Sequence, residues 1–280
     1  MLVTGAGGMV GRALREFCAA SGDTVFAYDR QALDIANSDA VREAVRRDKP
    51  DAVINCAAWT DVDGCESDVE RAFAVNARGP GNLALASREA NAAYVTISTD
   101  YVFDGAKDGF YTQEDQPNPQ SVYGRAKLEG EQRAQEANQA SIVVRTGFIF
   151  GSGGKNFLSK VIELARRAQQ IQAITDAYGT PTYARDLARR LRELAQLNHP
   201  GIFHVVNSGE GASYAEFARE AMLIANLGER RVEEVLSETL NRPAPRPQNS
   251  RLRCLYSEKL GLSPLPDWRA ALRAFAQETT

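Results

Sequence analysis

The sequence holds little of what many catalytic and metal sites are made from. Only two histidines, His199 and His204, stand in 280 residues, which argues against a histidine-rich metal centre. His204 lies inside the apolar run IFHVV, the setting of a buried or edge-strand residue rather than a ligand. The four cysteines, Cys18, Cys56, Cys65 and Cys254, are far apart and form no CxxC pair. They read as free thiols, and a disulfide framework or zinc module is excluded. Neither sign of charge dominates: 33 Lys and Arg against 36 Asp and Glu give a formal charge of -3. That balance, mixed along the chain, argues against a nucleic-acid partner. Long apolar runs are missing too. Stretches such as 52–58 and 140–144 are strand-sized, far below the roughly 18 residues of a membrane span. The opening MLVTGAGG has neither the basic nor the apolar region of a secretory leader. The expectation is a cytoplasmic chain that engages neither membrane nor metal.

What is present is an alternation. Short β-rich runs at 2–4, 24–28, 52–55, 94–97 and 142–145 are separated by stretches at 9–21, 38–47, 69–91 and 123–138. In these stretches apolar residues recur every three or four positions, as on one face of a helix. The pattern predicts an α/β fold with a doubly wound parallel (Rossmann) sheet. Beyond Gly151 the rhythm becomes irregular. Helices are expected at 157–169, 183–197, 213–226 and 267–276, a strand at 171–174, and a proline-stiffened connector at 243–247. The organisation this suggests is a nucleotide-binding domain over 1–150 and a smaller, mainly substrate-binding α/β domain over 151–280, with some segments returning to the first. Three residues before the first glycines make a short central strand; either the strand is short or the chain starts upstream.

The phrase TGAGGMVG joins the first strand to the first helix. Gly5 suits a tight turn, Gly8 a close backbone approach to a pyrophosphate at a helix N-terminus, and Gly11 close packing of helix on strand. The loop Gly5, Ala6, Gly7, Gly8, Met9, Val10 and Gly11 is therefore a candidate dinucleotide site, a bare glycine turn being the plainer alternative. Asp29 ends the second strand 24 residues after Gly5, where an acid binds ribose hydroxyls and favours NADH. Arg30 beside it suits a 2′-phosphate and favours NADPH, so both cofactors stay open. Asp34 and Ile35 are placed to touch the adenine. After the third strand, the small Ala57 and Ala58 permit close cofactor approach, with Trp59 next to them.

The strongest signal is STDYVF followed by SVYGRAK. Tyr123 and Lys127, four apart, share one helix face. An ammonium there favours the phenolate, lowers the phenol pKa and makes Tyr123 a proton donor, while Thr99 at a strand end bonds the oxygen being reduced.

The phrases TGAGGMVG, DAVINCAAWTDVDGCE, FAVNARGPGNLA, STDYVFDG, NPQSVYGRAKLEGE, VVRTGFIFG, YGTPTYARDLA and RPQNSRL span nearly the whole chain. With them the sequence resembles the extended short-chain dehydrogenase/reductase superfamily and, within it, the dTDP-4-dehydrorhamnose reductase family. The resemblance implies NAD(P)H-dependent reduction of the 4-keto group of dTDP-4-dehydro-L-rhamnose to dTDP-L-rhamnose. It implies Tyr123 as proton donor, Lys127 as the residue that orients the nicotinamide ribose and tunes Tyr123, and Thr99 as the third member. Asp100 would contact the substrate sugar, and Asn76 resembles a position that structures this region, a hydrogen-bonded core amide being its plainer reading. Phe148 stands where some members carry a tryptophan; it stacks but offers no N–H. Arg185 stands where some bacterial members place a glutamate that shares magnesium between subunits, so a monomer or weak homodimer is expected. The substrate diphosphate needs a cation, for which Arg246 and Arg251 are the candidates. Two alternatives accompany this reading: another nucleotide-sugar 4-ketoreductase or epimerase, and a regulatory subunit similar to the β subunit of methionine adenosyltransferase. Thr99, Tyr123 and Lys127 together favour catalysis.

Overall fold

A computed structural model describes residues 1–228 and 231–278. Its centre is a six-stranded sheet, entirely parallel, built from β1 (Leu2–Thr4), β2 (Phe26–Tyr28), β3 (Ala52–Asn55), β4 (Ala93–Thr99), β5 (Ile142–Thr146) and β6 (Gly201–His204). The strand order is 2-1-3-4-5-6, the doubly wound arrangement expected from the alternation. Every residue of β3 and β5 is buried, which is why 52–54 and 142–144 read as unbroken apolar runs instead of alternating. β1 has three residues, and β2, whose only neighbour in the sheet is β1, is held to the same length instead of reaching back to residue 24.

Helices cover both faces. On one side, α1 (Met9–Ala20) meets the later helix Ala184–Leu197. Leu14 and Cys18 pack there with Val3, Ile54, Val144, Leu187 and Leu191. On the other, α2 (Ser38–Asp48) lies with Val41 and Val45 against Leu2, Val53 and Tyr94. The Asn37 side chain starts that helix by accepting from Asp39 N and Ala40 N, satisfying two orphan donors.

The expected single helix over 69–91 is instead three pieces, and a short helix precedes them. These are α3 (Val62–Ser67), α4 (Val69–Phe73), a π-helical turn over Ala74–Arg78, and α5 (Gly79–Glu89). The reason lies at Pro80. Proline has no N–H to give to the Asn76 carbonyl four residues back, so the α-helical ladder cannot run through and the chain takes a wider turn. The next helix, α6 (Val122–Ala137), packs on that turn so closely that a Cβ at Gly130 would overlap the Asn76 carbonyl.

Past β5 the chain builds a second apolar cluster, in which Phe150, Tyr183, Phe217, Trp268 and Phe275 pack together. It is formed by α7 (Phe157–Arg167), α9 (Tyr214–Ile224) and α10 (Trp268–Glu278), with Tyr183, the residue that precedes helix α8 (Ala184–Leu197). α9 opens with a complete capping box between Ser213 and Glu216. α8 and β6 belong spatially to the first sheet. His204 is both buried and on the edge strand; burial and the nearby Arg145 charge push its pKa down to about 3, so the ring is neutral. Its Nδ1 lies 3.1 Å from the Arg253 carbonyl and 3.2 Å from that of Tyr111. All four cysteines are unbridged. Among the described residues no helix is long and apolar enough to cross a membrane, and no cluster of His, Cys, Asp and Glu is placed to hold a metal.

Candidate active site

The strand order reverses between β1 and β3, since the chain passes from β1 to β2 on one side and returns to β3 on the other. Crevices at the carboxyl ends of such strands are where open α/β sheets bind ligands. Here three adjoining cavities of about 770, 410 and 350 Å³ run from that point across the ends of the strands. The first two share Gly8, Cys56, Ala57 and Ala58; the last two share Tyr101, Phe148 and Tyr214.

The glycine loop forms the inner end. Gly5 has φ +65°, and a Cβ on it would lie 2.6 Å from Ala57 N. A Cβ on Gly11 would lie 2.8 Å from Ala6 Cα and would overlap the Gly5 carbonyl. Only glycine allows strand, loop and helix to approach this closely. Gly8 caps α1 without a side chain, and the first turn carries no acid. The positive end of a 12-residue helix therefore faces the crevice unmet. These features fit a dinucleotide pyrophosphate. Gly5, Gly7 and Gly8 line the first cavity, and Met9, Val10 and Gly11 the second. Ala6 is buried beneath the loop, its N–H given to the Tyr28 carbonyl.

Asp29, Arg30, Asp34 and Ile35 line the first cavity together with Ala57, Ala58 and Trp59. Asp29 Oδ1 accepts from Gln31 N and Ala32 N, both at 2.9 Å, so the acid also fixes its own loop. Asn76 holds Trp59 at both ends: its Oδ1 accepts from Trp59 N at 2.9 Å and its Nδ2 donates to Trp59 O at 3.0 Å. The Arg71 guanidinium covers the Trp59 ring at 4.1 Å, a cation–π contact.

Tyr123, Lys127 and Glu131 recur every fourth residue on α6 and share one face. Glu131 receives Arg145 Nε at 3.0 Å and Nη2 at 2.7 Å, with the Ser98 hydroxyl donating to the same carboxylate. This buried pair pins the face to β4 and β5. Lys127 Nζ donates to Ile97 O at 2.6 Å, and burial pulls its pKa down to about 8. Thr99, ending β4, accepts from Tyr101 N at 3.1 Å and donates to Asp100 Oδ1 at 3.0 Å.

The Tyr123 phenol differs from expectation. Burial raises its pKa, the Thr99 hydroxyl draws it back, and the Asp100 charge raises it further. The Lys127 ammonium, expected to lower it, is turned to the Ile97 carbonyl. Tyr123 is thus a neutral phenol at pH 7, with its proton in place.

Asp100 is buried beside it, pushed up to about 6 by burial against the pull of neighbouring hydroxyls. Among the described residues its Oδ2 has no hydrogen-bond partner. It stands against Gly147, where a Cβ would come within 2.5 Å of Oδ1.

The outer cavity is walled by Tyr101, Phe148, Tyr214, Arg242, Arg246 and Ser250, among others. Phe148 adopts φ +48°, unusual for a bulky residue. Its ring sits 4.5 Å from that of Tyr214, and a Cβ on Gly179 would lie 2.6 Å from its Cε2. Of the two arginines expected near a diphosphate, the structure brings only Arg246 to this wall. Arg251 is drawn off by aromatic neighbours: its guanidinium lies 5.6 Å from both the Phe110 and the Tyr178 rings, and its Nε donates to Asn249 Oδ1 at 2.8 Å. Arg185 is ion-paired to Glu278 of the same chain. Sequence reasoning passed over Tyr101, Tyr214 and Arg242. Tyr101 lay inside STDYVF, and Tyr214 inside a recognisable capping box; Arg242 carried no local signal.

The family described as the RmlD substrate binding domain matches residues 1–280. A dTDP-4-dehydrorhamnose reductase of Mycolicibacterium smegmatis is 42% identical over 98% of this chain and 84% of its own length. A probable dTDP-4,6-dihydroxy-2-methyloxan-3-one 4-ketoreductase of Streptomyces antibioticus is 38% identical over 97% and 92% of the two chains. The crystal structure of a dTDP-4-dehydrorhamnose reductase from Bacillus anthracis in complex with NADP superposes with a TM-score of 0.95, at 34% identity over 99% of this chain and 98% of that one. The chain belongs to the RmlD substrate binding domain family, among whose members similar to it are dTDP-4-dehydrorhamnose reductases.

Proposed function

We propose that this protein reduces the 4-keto group of dTDP-4-dehydro-L-rhamnose to the alcohol of dTDP-L-rhamnose, using NADPH or NADH. The observation that carries the reading is the position of Thr99 and Tyr123, in the middle cavity between a glycine-walled nucleotide crevice and an arginine-bearing outer one. When bound, the reduced nicotinamide supplies hydride to the carbonyl carbon. The residues that would hold the dinucleotide are the Gly5 to Gly11 loop, Asp29 or Arg30 at the adenosine ribose, Asp34, Ile35, Ala57, Ala58 and Trp59, with Lys127 at the nicotinamide ribose.

The protein's own part is proton supply and charge stabilisation. As the C4 oxygen becomes an alkoxide, Tyr123 gives it the phenolic proton, and the Thr99 hydroxyl, rotating its single hydrogen away from Asp100 Oδ1, donates a hydrogen bond to it. Asp100 offers its unpartnered Oδ2 to a sugar hydroxyl. Phe148 gives the sugar an apolar face, and Arg246 supports the diphosphate. The same reading places the protein in the cytoplasm as a monomer or weak homodimer. Its support is that Arg185 is already ion-paired within its own chain, where a magnesium-linked dimer needs an acid. Reduction of another dTDP-linked 4-keto sugar is the second reading, and the Streptomyces antibioticus relative favours it.

The test follows the loss of reduced-nicotinamide absorbance when purified protein meets NADPH or NADH and enzymatically generated dTDP-4-dehydro-L-rhamnose. Oxidation that needs both protein and sugar is expected, and the ratio of rates with the two cofactors reports the balance between Asp29 and Arg30. No oxidation with this sugar, alongside oxidation with another 4-keto sugar nucleotide, would transfer the assignment to the second reading.

A further inference from the structure

Helix α3 follows directly on the Ala57 to Trp59 segment, and two of its acids reach other parts of the cleft. Asp63 Oδ1 accepts from Arg246 Nη1 at 2.9 Å and from Ala244 N at 3.0 Å, and its Oδ2 accepts from Arg246 Nη2 at 2.7 Å. Three residues on, Glu66 Oε1 accepts at 2.7 Å from the N–H of Val122, the residue before Tyr123. Neither acid has a part in the chemistry derived above. Asp63 belongs to the nucleotide-binding side, and Arg246 sits on a five-residue stretch containing Pro243, Pro245 and Pro247. The pair therefore closes a strut between parts of the chain 183 residues apart.

The donors of Arg246 show what the strut leaves open. A guanidinium has five N–H groups in a planar fork. Nη1 gives its two to Asp63 Oδ1 and, at 2.8 Å, to Ala244 O; Nη2 gives one to Asp63 Oδ2. Nε–H and the second N–H of Nη2 remain, side by side on one edge, the arrangement that binds two oxygens of a phosphate. The carboxyl of Asp63 is held below its ordinary range by Arg246, so the strut persists through neutral pH. Arg242 on the same wall adds positive charge that Asp63 does not cancel.

We propose that Asp63 is a positioning residue for the substrate diphosphate, fixing Arg246 in one rotamer with a phosphate-binding edge left unengaged. This rests on the reading that the outer cavity takes a nucleotide sugar. Asp63 restricts a long, flexible side chain during folding, so that less freedom is lost on binding.

The experiment measures dTDP binding by calorimetry, and KM and kcat for the sugar nucleotide, on the full chain. Asp63→Asn should weaken dTDP binding about tenfold and raise KM in step, with kcat held within about twofold. Asp63→Glu should recover most of the loss. The double variant Asp63→Asn with Arg246→Ala should bind no worse than Arg246→Ala alone, because both act through one guanidinium. Should Asp63→Asn fail to fold, Arg246→Lys keeps the charge, loses the fork and is expected to show the same tenfold effect. Glu66→Gln, at the Tyr123 end of α3, should leave dTDP binding unchanged. Unaltered dTDP binding in Asp63→Asn or Arg246→Lys, or strict additivity in the double variant, overturns the proposal. If the wild-type chain binds no dTDP, the reading of the cavity falls first and the strut's role with it.

Discussion

The two ends of the cleft are built in different ways. The inner end, from Gly5 to Trp59, is backbone brought to contact distance: its defining groups are amides and absent side chains, set by a strand, a turn and a helix in sequence order. The outer end is made of side chains from three stretches, with Phe148, Tyr214 at the start of α9, and Arg242, Arg246 and Ser250 on one irregular segment converging. Two of these depend on a partner, Phe148 on the space at Gly179 and Arg246 on Asp63. A wall of backbone recognises what dinucleotides have in common. A wall of propped side chains can be changed one prop at a time, and so can follow a particular sugar.

Four substitutions test that contrast. The largest effect belongs at the seam between the two ends: Tyr123→Phe removes the proposed proton donor and should lower kcat by about 10²- to 10⁴-fold. Its cofactor affinity, read by quenching of Trp59 fluorescence on titration with NADPH, should hold. Retained turnover would remove the phenol from the mechanism. Next is the foundation of the seam, the buried Glu131–Arg145 pair. Glu131→Ala leaves the guanidinium buried and unpaired and should cost about 3–5 kcal/mol in urea unfolding. A loss under about 1 kcal/mol would mean that α6 is held by its apolar contacts alone.

The inner end should be intolerant. Gly11→Ala puts a Cβ into the Gly5 carbonyl and Ala6, an overpacking of about 1–3 kcal/mol. NADPH binding by calorimetry should weaken by about tenfold or more, while dTDP binding stays the same. Equal losses for both ligands would erase the distinction between the two ends.

The smallest effect concerns Asp100. Its carboxyl has been pushed from an ordinary 3.8 up to about 6, so the folded chain holds this proton more tightly than the unfolded one. The stability it contributes is complete below the ordinary value and is lost as pH rises through about 6. Asp100→Asn removes that dependence. Its Tm relative to wild type should therefore climb between about pH 4 and pH 7. A difference that stays flat with pH would show that the acid does not titrate in this window.

Legibility follows the same division. The central strands, the helices α1, α2 and α6, and the loop Gly5 to Gly11 could be read because each is a local pattern: apolar period, cap, glycine spacing. Tyr123 and Lys127 were visible as one helix face. The sign of the Tyr123 shift was not, because it depends on burial and on which way the Lys127 amine turns, and both are tertiary. The break at Pro80 was written in the sequence, but the helical period on either side masked it. Arg246 and Arg251 are equivalent as letters five residues apart. Phe110 and Tyr178 take one and Asp63 holds the other, and none of those neighbours is local to the loop.

The wide turn at Ala74–Arg78 reaches further than a defect in a helix would. It leaves Asn76 facing Trp59 with one acceptor and one donor, the pair of groups that an adjacent β-strand would present. The segment that lines the nucleotide crevice thus behaves as a sheet edge with a partner one residue long. The Trp59 end of that segment is held by bonds within the chain itself, with no guest needed to set it.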